Sequence, residues 1–195
     1  MLTIFEGKKL FVPVATLLTA FLAWAAWHAG GYIKALPFVM WPTAHAAFLM
    51  FCMAFTASSI QRLRPGSYGK WAMRNRRYIG LNFALIHFVH AGLVLSNLAF
   101  TEASRPLSVL AVGGTAYLLL LAMVLTSNAA SVKALGAKNW KRLHKVGSYG
   151  LLAIFFGTSF RQPDAFTSIE TSWLAIAAVG VLALRISAHQ KGRKH

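Results

Sequence analysis

Three histidines lie inside long apolar stretches of the sequence, where imidazole is an unusual side chain. His87 and His90 are three residues apart within YIGLNFALIHFVHAGLVLSNLAF, and His45 lies in an earlier apolar stretch. A fourth histidine, His144, opens a later one. Polar side chains in such segments usually face a bundle interior and mark a ligand, ion or electron pathway. Neutral imidazole is the commonest metal ligand among side chains, so these four residues are candidate ligands.

The height of each histidine along the membrane normal follows from the helical rise of 1.5 Å per residue. With successive stretches crossing in opposite directions, His45 and His90 both fall in the outer half, at depths that agree to about one turn. His87 lies near the middle, on roughly the same helical face as His90. His144 stands at the cytoplasmic end of its stretch, on the order of 18 Å from His90 along the normal. One metal ion therefore cannot bind both His90 and His144.

Three interpretations of these histidines are open. Facing helices of a bundle can hold haem through imidazole, and a flat apolar macrocycle suits a lipid-embedded core. A copper or other transition-metal site could be built from His45, His87 and His90, because imidazole also suits copper. In the third interpretation each histidine only hydrogen-bonds a neighbouring helix, as polar residues in membrane bundles do. Three histidines at similar depth favour a cofactor.

The composition indicates which elements position these side chains. The chain has 195 residues, of which 57% are hydrophobic and only 12% charged, too few charges to cover a soluble domain. A spanning helix needs about 20 mostly apolar residues. Six stretches qualify, at residues 10–32, 38–60, 78–100, 107–131, 144–160 and 172–188. We therefore predict an all-α membrane protein in which residues 1–195 form one domain, a six-helix transmembrane bundle.

Basic residues alternate from one connection to the next. The formal net charge is +16, and the basic residues cluster before the first stretch, after the second, after the fourth and after the sixth. This is the positive-inside pattern, which predicts that both termini are cytoplasmic. A nucleic-acid role would need a basic face on a folded soluble element. The sequence has no such element, so the expected surroundings are a lipid bilayer and not a nucleic acid.

Two of the predicted cytoplasmic connections are both basic and aromatic. They are QRLRPGSYGKWAMRNRR, residues 61–77, and VKALGAKNWKRLHK, residues 132–145. Their arginines can meet lipid phosphates while Trp71 sits at headgroup level. The same charges would also serve an anionic cofactor or an acidic partner. The cytoplasm is therefore the expected side for an incoming redox partner.

Two motifs carry a resemblance to a known family. Arg76-Arg77-Tyr78-Ile79-Gly80-Leu81, followed by His90, resembles the arginine-pair, glycine and histidine arrangement of the third helix in the ferric reductase-like transmembrane domain. The stretch joining helices four and five in that family is similar to a second set of residues. That set is Leu125-Thr126-Ser127, Leu135-Gly136, Trp140-Lys141-Arg142-Leu143-His144 and Tyr149. The resemblance covers roughly residues 74–160.

The resemblance implies one or two b-type haems, with His90 and His144 as ligands. It also implies a bacterial inner-membrane location and electron flow from a cytoplasmic donor to a periplasmic or other outer-face acceptor. Arg76 or Arg77 could then pair with a haem propionate or a flavin phosphate. Some family members continue into a flavin- and nicotinamide-binding domain, whereas this sequence ends at His195. We therefore expect a separate donor at the cytoplasmic face: a flavoprotein, a flavin or a quinol.

The sequence departs from the family pattern at one position. The family's fifth helix carries a further histidine, which pairs with the third-helix ligand, and the matching residue here is Gly157. His45 is the candidate replacement because its depth is close to that of His90. His87 is an alternative ligand or a hydrogen-bonding companion. The small residue at Gly157 would leave room for a macrocycle, although small residues in membrane helices more often mark close helix packing.

The sequence thus predicts a haem-carrying membrane protein that transfers electrons to an outer-face acceptor, as the electron-transfer subunit of an oxidoreductase. It contains no evident nucleophile or acid–base pair, so substrate chemistry would belong to a partner. One alternative is a haem-free relative that acts as a membrane scaffold or transporter. The other is a copper-binding membrane protein that uses His45, His87 and His90.

Overall fold

The computed structural model describes residues 5–159 and 169–192, and within these ranges the chain is helical with no strand. A short 3₁₀ helix, Gly7–Leu10, leads into six α-helices. They are α1 (Phe11–His28), α2 (Tyr32–Leu63), α3 (Ser67–Phe100), α4 (Leu107–Leu125), α5 (Ala129–Ser159) and α6 (Ile169–Lys191). The predicted all-α membrane fold class is confirmed.

Five helical segments are long and apolar enough to cross a membrane, within the part of the chain that the structure describes. These are Gly7–His28, Tyr32–Leu63, Ser67–Phe100, Leu107–Leu125 and Ser172–Lys191. Helix α5 is not among them, because its first half is the basic connection and only its second half is apolar. The predicted end of the fifth span, Phe160, lies outside the described residues. A sixth span, like the cytoplasmic placement of the termini, stays a prediction.

Several helices extend well beyond the predicted spans, because apolar length marks the bilayer and not the ends of the helix. Helix α2 begins at Tyr32 rather than residue 38, and α3 begins at Ser67 rather than residue 78. Most of the predicted connection between them is therefore helical. It contains no proline after Pro65, so nothing in it interrupts a helix that starts after Gly66.

The connection between the fourth and fifth helices is also shorter than predicted. Helix α4 ends at Leu125 and α5 already begins at Ala129, well before the predicted start at residue 144. Helix α5 is interrupted at Gly136, whose φ of 73° and ψ of 147° are not helical. A positive φ of this kind is readily adopted only by glycine. The basic first segment and the apolar second segment of α5 are therefore distinct pieces of helix.

The chain divides into two compact units, Met1–Ser104 and Arg105–His195. In the N-terminal unit, α2 and α3 pack along most of their length and α1 lies against α2. Its buried apolar core includes Ala25, Ala35, Leu36, Val39 and Leu93. In the C-terminal unit, α5 packs against both α4 and α6. The single domain predicted from the sequence stays a prediction.

The segment before α1 is bound to the first turns of α3. The Gly7 amide donates to Asn75 Oδ1 at 2.7 Å, and the Trp71 indole N–H donates to the Phe5 carbonyl at 2.9 Å. Asn75 is only 2% exposed, so its amide group is satisfied inside the unit. An exposed ion pair joins Arg74 to Glu6 at 3.0 Å and adds little stability by itself. Trp71, predicted to lie at headgroup level, thus holds the N-terminal segment against α3.

Helices α2 and α3 approach each other closely at Gly69, a buried glycine at the start of α3. A Cβ on Gly69 would lie 3.0 Å from the Cα and 3.2 Å from the Cβ of Gln61 on α2. Backbone atoms cannot move aside as the end of a flexible side chain can. In contrast, a Cβ on Gly92 of the same helix would have no neighbour within 4 Å.

We expect Gly69→Ala to destabilise the protein and Gly92→Ala not to do so. The added methyl at Gly69 is overpacked, which costs about 1–3 kcal/mol. The gain in helix propensity, about 1 kcal/mol, is common to both variants. Thermal unfolding in detergent should therefore give a lower Tm for Gly69→Ala and an unchanged or higher Tm for Gly92→Ala. Equal shifts in the two variants would contradict the close approach at Gly69.

Candidate functional site

His90 is joined to α2 by a side-chain hydrogen bond. Its Nδ1 lies 3.1 Å from Oγ1 of Thr43, which is 1% exposed. The Thr43 hydroxyl also lies 2.7 Å from the Val39 carbonyl and 3.0 Å from the Met40 carbonyl. The hydroxyl has one hydrogen, which it donates to the nearer carbonyl, that of Val39. While it does so, Oγ1 can only accept from His90, and such a bond needs the His90 hydrogen on Nδ1.

His87 lies directly beside His90 on α3. The two ring centroids are 5.8 Å apart and the rings are nearly parallel, with an angle of 14° between their planes. The ring of Phe83 stacks on His87 from one turn earlier, with the centroids 5.4 Å apart. His87 is buried, at 8% exposure, whereas His90 is half-buried. The structure thus places the two histidines together, with His90 the more accessible.

His45 occupies a different side of α2. Its Nδ1 donates to the Trp41 carbonyl at 2.7 Å and its ring stacks on Trp41, with the ring centroids 3.6 Å apart. His45 follows Thr43 by two residues, so it lies about 200° around the helix from the residue that contacts His90. Among the described residues, no three histidine, cysteine or acidic side chains come together as a metal-binding group. Similar depth along the membrane normal therefore does not bring His45 to His90.

His144, in the C-terminal unit, also bonds a threonine, but through its other ring nitrogen. Its Nε2 lies 3.1 Å from Thr126 Oγ1, whose hydroxyl donates to the Ala122 carbonyl at 2.7 Å. While that hydroxyl donates to Ala122, it can only accept from His144, and such a bond needs the His144 hydrogen on Nε2. Trp140 packs at 4.3 Å from the His144 ring and donates to the Thr126 carbonyl at 2.8 Å. Thr126 therefore engages Nε2 of His144, whereas Thr43 engages Nδ1 of His90.

The two threonines were not predicted as site residues. A threonine in a membrane helix commonly bonds the carbonyl four residues earlier, so its presence alone carries little signal. Thr126 does lie within the motif Leu125-Thr126-Ser127, which the family resemblance singled out. Thr43 follows Pro42 inside α2 and no motif pointed to it. Each threonine nevertheless contacts one particular ring nitrogen of its histidine, Nδ1 of His90 and Nε2 of His144.

Arg76 and Arg77 lie exposed on the surface of the N-terminal unit. The Arg76 Nε donates to the Ala54 carbonyl of α2 at 3.0 Å. The Arg77 guanidinium lies over the ring of Tyr78, 5.7 Å from its centroid. The Arg76 hydrogen bond thereby joins α3 to α2. Arg77 instead contacts Tyr78, its neighbour on the same helix.

Gly157, the position without the expected histidine, is loosely surrounded. A Cβ there would have no neighbour within 4 Å in the described part of the chain. The closely packed glycines of α5 are instead Gly147 and Gly150, which face Met123 and Leu119 of α4. The small residue at Gly157 is thus not explained by close packing inside the C-terminal unit.

An arginine from α6 reaches α5 near the same glycines. Arg185 Nε lies 3.4 Å from the Tyr149 hydroxyl, and its guanidinium lies 5.6 Å from the centroid of the Tyr149 ring. Tyr149 is one of the residues that carry the family resemblance, whereas Arg185 is one of several basic residues near the C-terminus. The contact gives the motif tyrosine a structural role in joining α5 to α6.

Comparison with known proteins identifies relatives of one kind. No family model and no solved structure matches the chain. A methionine-sulfoxide reductase heme-binding subunit, MsrQ, from Ralstonia nicotianae is 27% identical over 163 residues, covering 77% of this chain and 71% of the relative. MsrQ from Deinococcus radiodurans is 28% identical over 183 residues, covering 88% and 86%. MsrQ from Azospira oryzae is 32% identical over 111 residues, covering 53% and 44%.

These relatives are bacterial, and the five apolar helices suit a multi-pass protein of the inner membrane. Two of the three alignments cover more than two thirds of both chains, so the similarity extends well beyond a single motif. The chain is thus similar to MsrQ heme-binding subunits over most of its length, and the predicted resemblance to a haem-binding membrane family is confirmed.

Proposed function

We propose that this chain is the haem-binding, electron-carrying membrane subunit of a methionine sulfoxide reductase system. The similarity to MsrQ subunits supports the system, and the apolar helices support a path through the bilayer. The observation that carries the proposal is the Thr43–His90 hydrogen bond. With Nδ1–H donating to Thr43, a neutral imidazole has its lone pair on Nε2, the atom that would ligate a metal.

The residues around His90 fit a haem ligand. His90 is half-buried between its apolar neighbours on α3, and its ring is held by a buried side chain of α2. Haem b, when bound, supplies a one-electron carrier. The protein would supply the histidine ligand, its orientation and the apolar surroundings, which together would tune the reduction potential. His87 lies against His90 and contributes to that surrounding shell.

His144 is the second candidate ligand in this proposal. Its Nε2 lies within hydrogen-bond distance of Thr126 Oγ1, at 3.1 Å, so ligation through Nε2 requires that hydrogen bond to break. We therefore assign one haem to His90 first, and a second haem only if His144 exchanges Thr126 for iron. His45 faces another side of α2 and is not proposed as the partner of His90.

The direction of electron flow in this proposal follows from the charge pattern. The basic residues near the start of α3, among them Lys70 and Arg74, would lie on the cytoplasmic side and attract an acidic or anionic donor. A flavoprotein, a flavin or a quinol are the donor classes. The acceptor is a methionine sulfoxide reductase on the outer face. Arg77 is positioned to meet an anionic group at the cytoplasmic end.

We expect the purified protein to bind haem and His90→Ala to lose it. Wild-type protein should show a Soret band and α and β bands that sharpen on reduction with dithionite. In His90→Ala, haem per protein should fall to a small fraction of the wild-type value, because the iron would lose its histidine ligand. The control His28→Ala alters an exposed histidine that stacks on Trp24, 5.4 Å between ring centroids, and should keep the wild-type spectrum.

Two outcomes would contradict this function. A colourless wild-type protein after expression with ample haem would favour the haem-free scaffold or transporter. A wild-type spectrum in His90→Ala would refute the ligand assignment.

We also expect fusions to report a cytoplasmic C-terminus and an outer connection between α3 and α4. Alkaline phosphatase, which folds only outside the cytoplasm, should be active when fused after Ser104 and inactive when fused after Gln190. Green fluorescent protein should give the reverse pattern. The physical reason is that basic residues are concentrated in the connections after α2 and after α4 and near the C-terminus, and such clusters stay in the cytoplasm. The opposite result at both positions would reverse the proposed direction of electron flow.

A further inference from the structure

We propose that Thr43 is a positioning residue for His90: its buried hydroxyl selects the Nδ1–H form of the imidazole and aims Nε2 as the metal ligand. This inference rests on the proposed function, in which His90 ligates haem. It concerns α2, a helix to which neither family motif assigns a role.

The selection follows from where the hydroxyl hydrogen can go. Thr43 Oγ1 has two carbonyls within hydrogen-bond distance, those of Val39 at 2.7 Å and Met40 at 3.0 Å. When its one hydrogen bonds the nearer carbonyl, that of Val39, the hydroxyl offers only a lone pair to His90 Nδ1, 3.1 Å away. The other tautomer of His90 would require Thr43 to give up its bond to the Val39 carbonyl and donate to Nδ1 instead. Thr43 thus favours one of two forms that are otherwise close in energy.

The position of Thr43 is itself tightly held. Thr43 is 1% exposed, and one turn before it Val39 belongs to the same buried core as Leu93 of α3. Leu93 comes three residues after His90, on the adjoining turn of α3. The core contact therefore fixes the register of α2 against α3 at the height of the hydrogen bond. A rotation of the His90 ring would break this bond without gaining another from Thr43.

Such an outer partner has two chemical effects on a histidine ligand. It restricts the ring to one orientation. By accepting a hydrogen bond from Nδ1–H, it also raises the basicity of Nε2, the ligating nitrogen. A more basic ligand stabilises the oxidised metal more than the reduced metal. Loss of the hydroxyl should therefore weaken haem retention and raise the midpoint potential of the haem.

The Thr126–His144 pair joins the same two side-chain types through the other ring nitrogen, and it therefore serves as a control. Thr126 accepts from Nε2 of His144, so it occupies the nitrogen that haem iron usually takes. Removing the Thr126 hydroxyl should leave every property of His90 unchanged. The two threonine-to-valine variants are thus matched in size and polarity and differ only in the histidine they contact.

The first test uses haem-free protein, so that it does not depend on haem ligation. The protein is produced in a haem-deficient host with ¹⁵N-labelled histidine, and the His90 signals are assigned by comparison with His90→Ala. We expect ¹⁵N shifts of a neutral ring protonated on Nδ1 in wild type and in Thr43→Ser. Thr43→Val should shift the population toward the Nε2–H form, and Thr126→Val should match wild type at His90. A wild-type ring protonated on Nε2 would overturn the proposal.

The second test measures haem retention by transfer to apomyoglobin, together with the midpoint potential. Thr43→Val should release haem about 10- to 100-fold faster than wild type and show a higher potential. Thr43→Ser, which keeps the hydroxyl, should restore both values. Thr56→Val, which removes another buried α2 hydroxyl that donates to the Cys52 carbonyl, should leave both values unchanged. A wild-type release rate and potential in Thr43→Val would refute the positioning role.

Two further results keep the outcomes distinct. If His90→Ala retains haem, the assignment of His90 as a haem ligand fails, whereas the tautomer measurement still decides the role of Thr43. If Thr43→Val does not fold, Thr43→Ala and Thr43→Ser take its place. Equal tautomer populations in the alanine and serine variants would then refute the proposal.

Discussion

The packing of α2 against α3 determines where the polar side chains of the N-terminal unit can lie. Four contacts follow a single antiparallel register along this pair: Gly69 with Gln61, Arg76 with Ala54, Phe83 with Phe51, and His90 with Thr43. A membrane interior offers no water to satisfy a polar group that is out of register. The Arg76–Ala54 and Thr43–His90 hydrogen bonds therefore depend on one alignment of α2 with α3. The Phe51–Phe83 ring contact between them depends on the same alignment.

The sequence predicted the helices and the unusual histidines well, because both depend on composition and spacing along the chain. Apolar length located α1 to α4 and α6, and the three-residue spacing anticipated that His87 and His90 would be neighbours. Depth arithmetic also placed His45 near the level of His90. It could not reveal that Thr43, two residues earlier, faces His90 while His45 faces elsewhere, because direction around α2 depends on how the helix is packed.

Helix ends and hydroxyl partners were the features that sequence reasoning missed. The residues before Tyr78 are too polar for a span, yet they continue α3 because the segment before α1 binds them through Trp71 and Asn75. The break at Gly136 is visible only in its backbone angles. The family resemblance implied both His90 and His144 as haem ligands. Their threonine partners distinguish them, since Thr43 contacts Nδ1 of His90 and Thr126 contacts Nε2 of His144.

The uninterrupted length of α3 has a consequence for the electron donor. Its 34 residues extend about 51 Å, against a hydrocarbon thickness of about 30 Å. Arg74 precedes His90 by sixteen residues, which is about 24 Å along the helix axis. In the proposed function, a water-soluble donor resting beside Arg74 and Trp71 would remain that far from the His90 ligand. The electron must then cross through an intermediate carrier, or the donor must be a molecule that dissolves in the bilayer and travels to that depth.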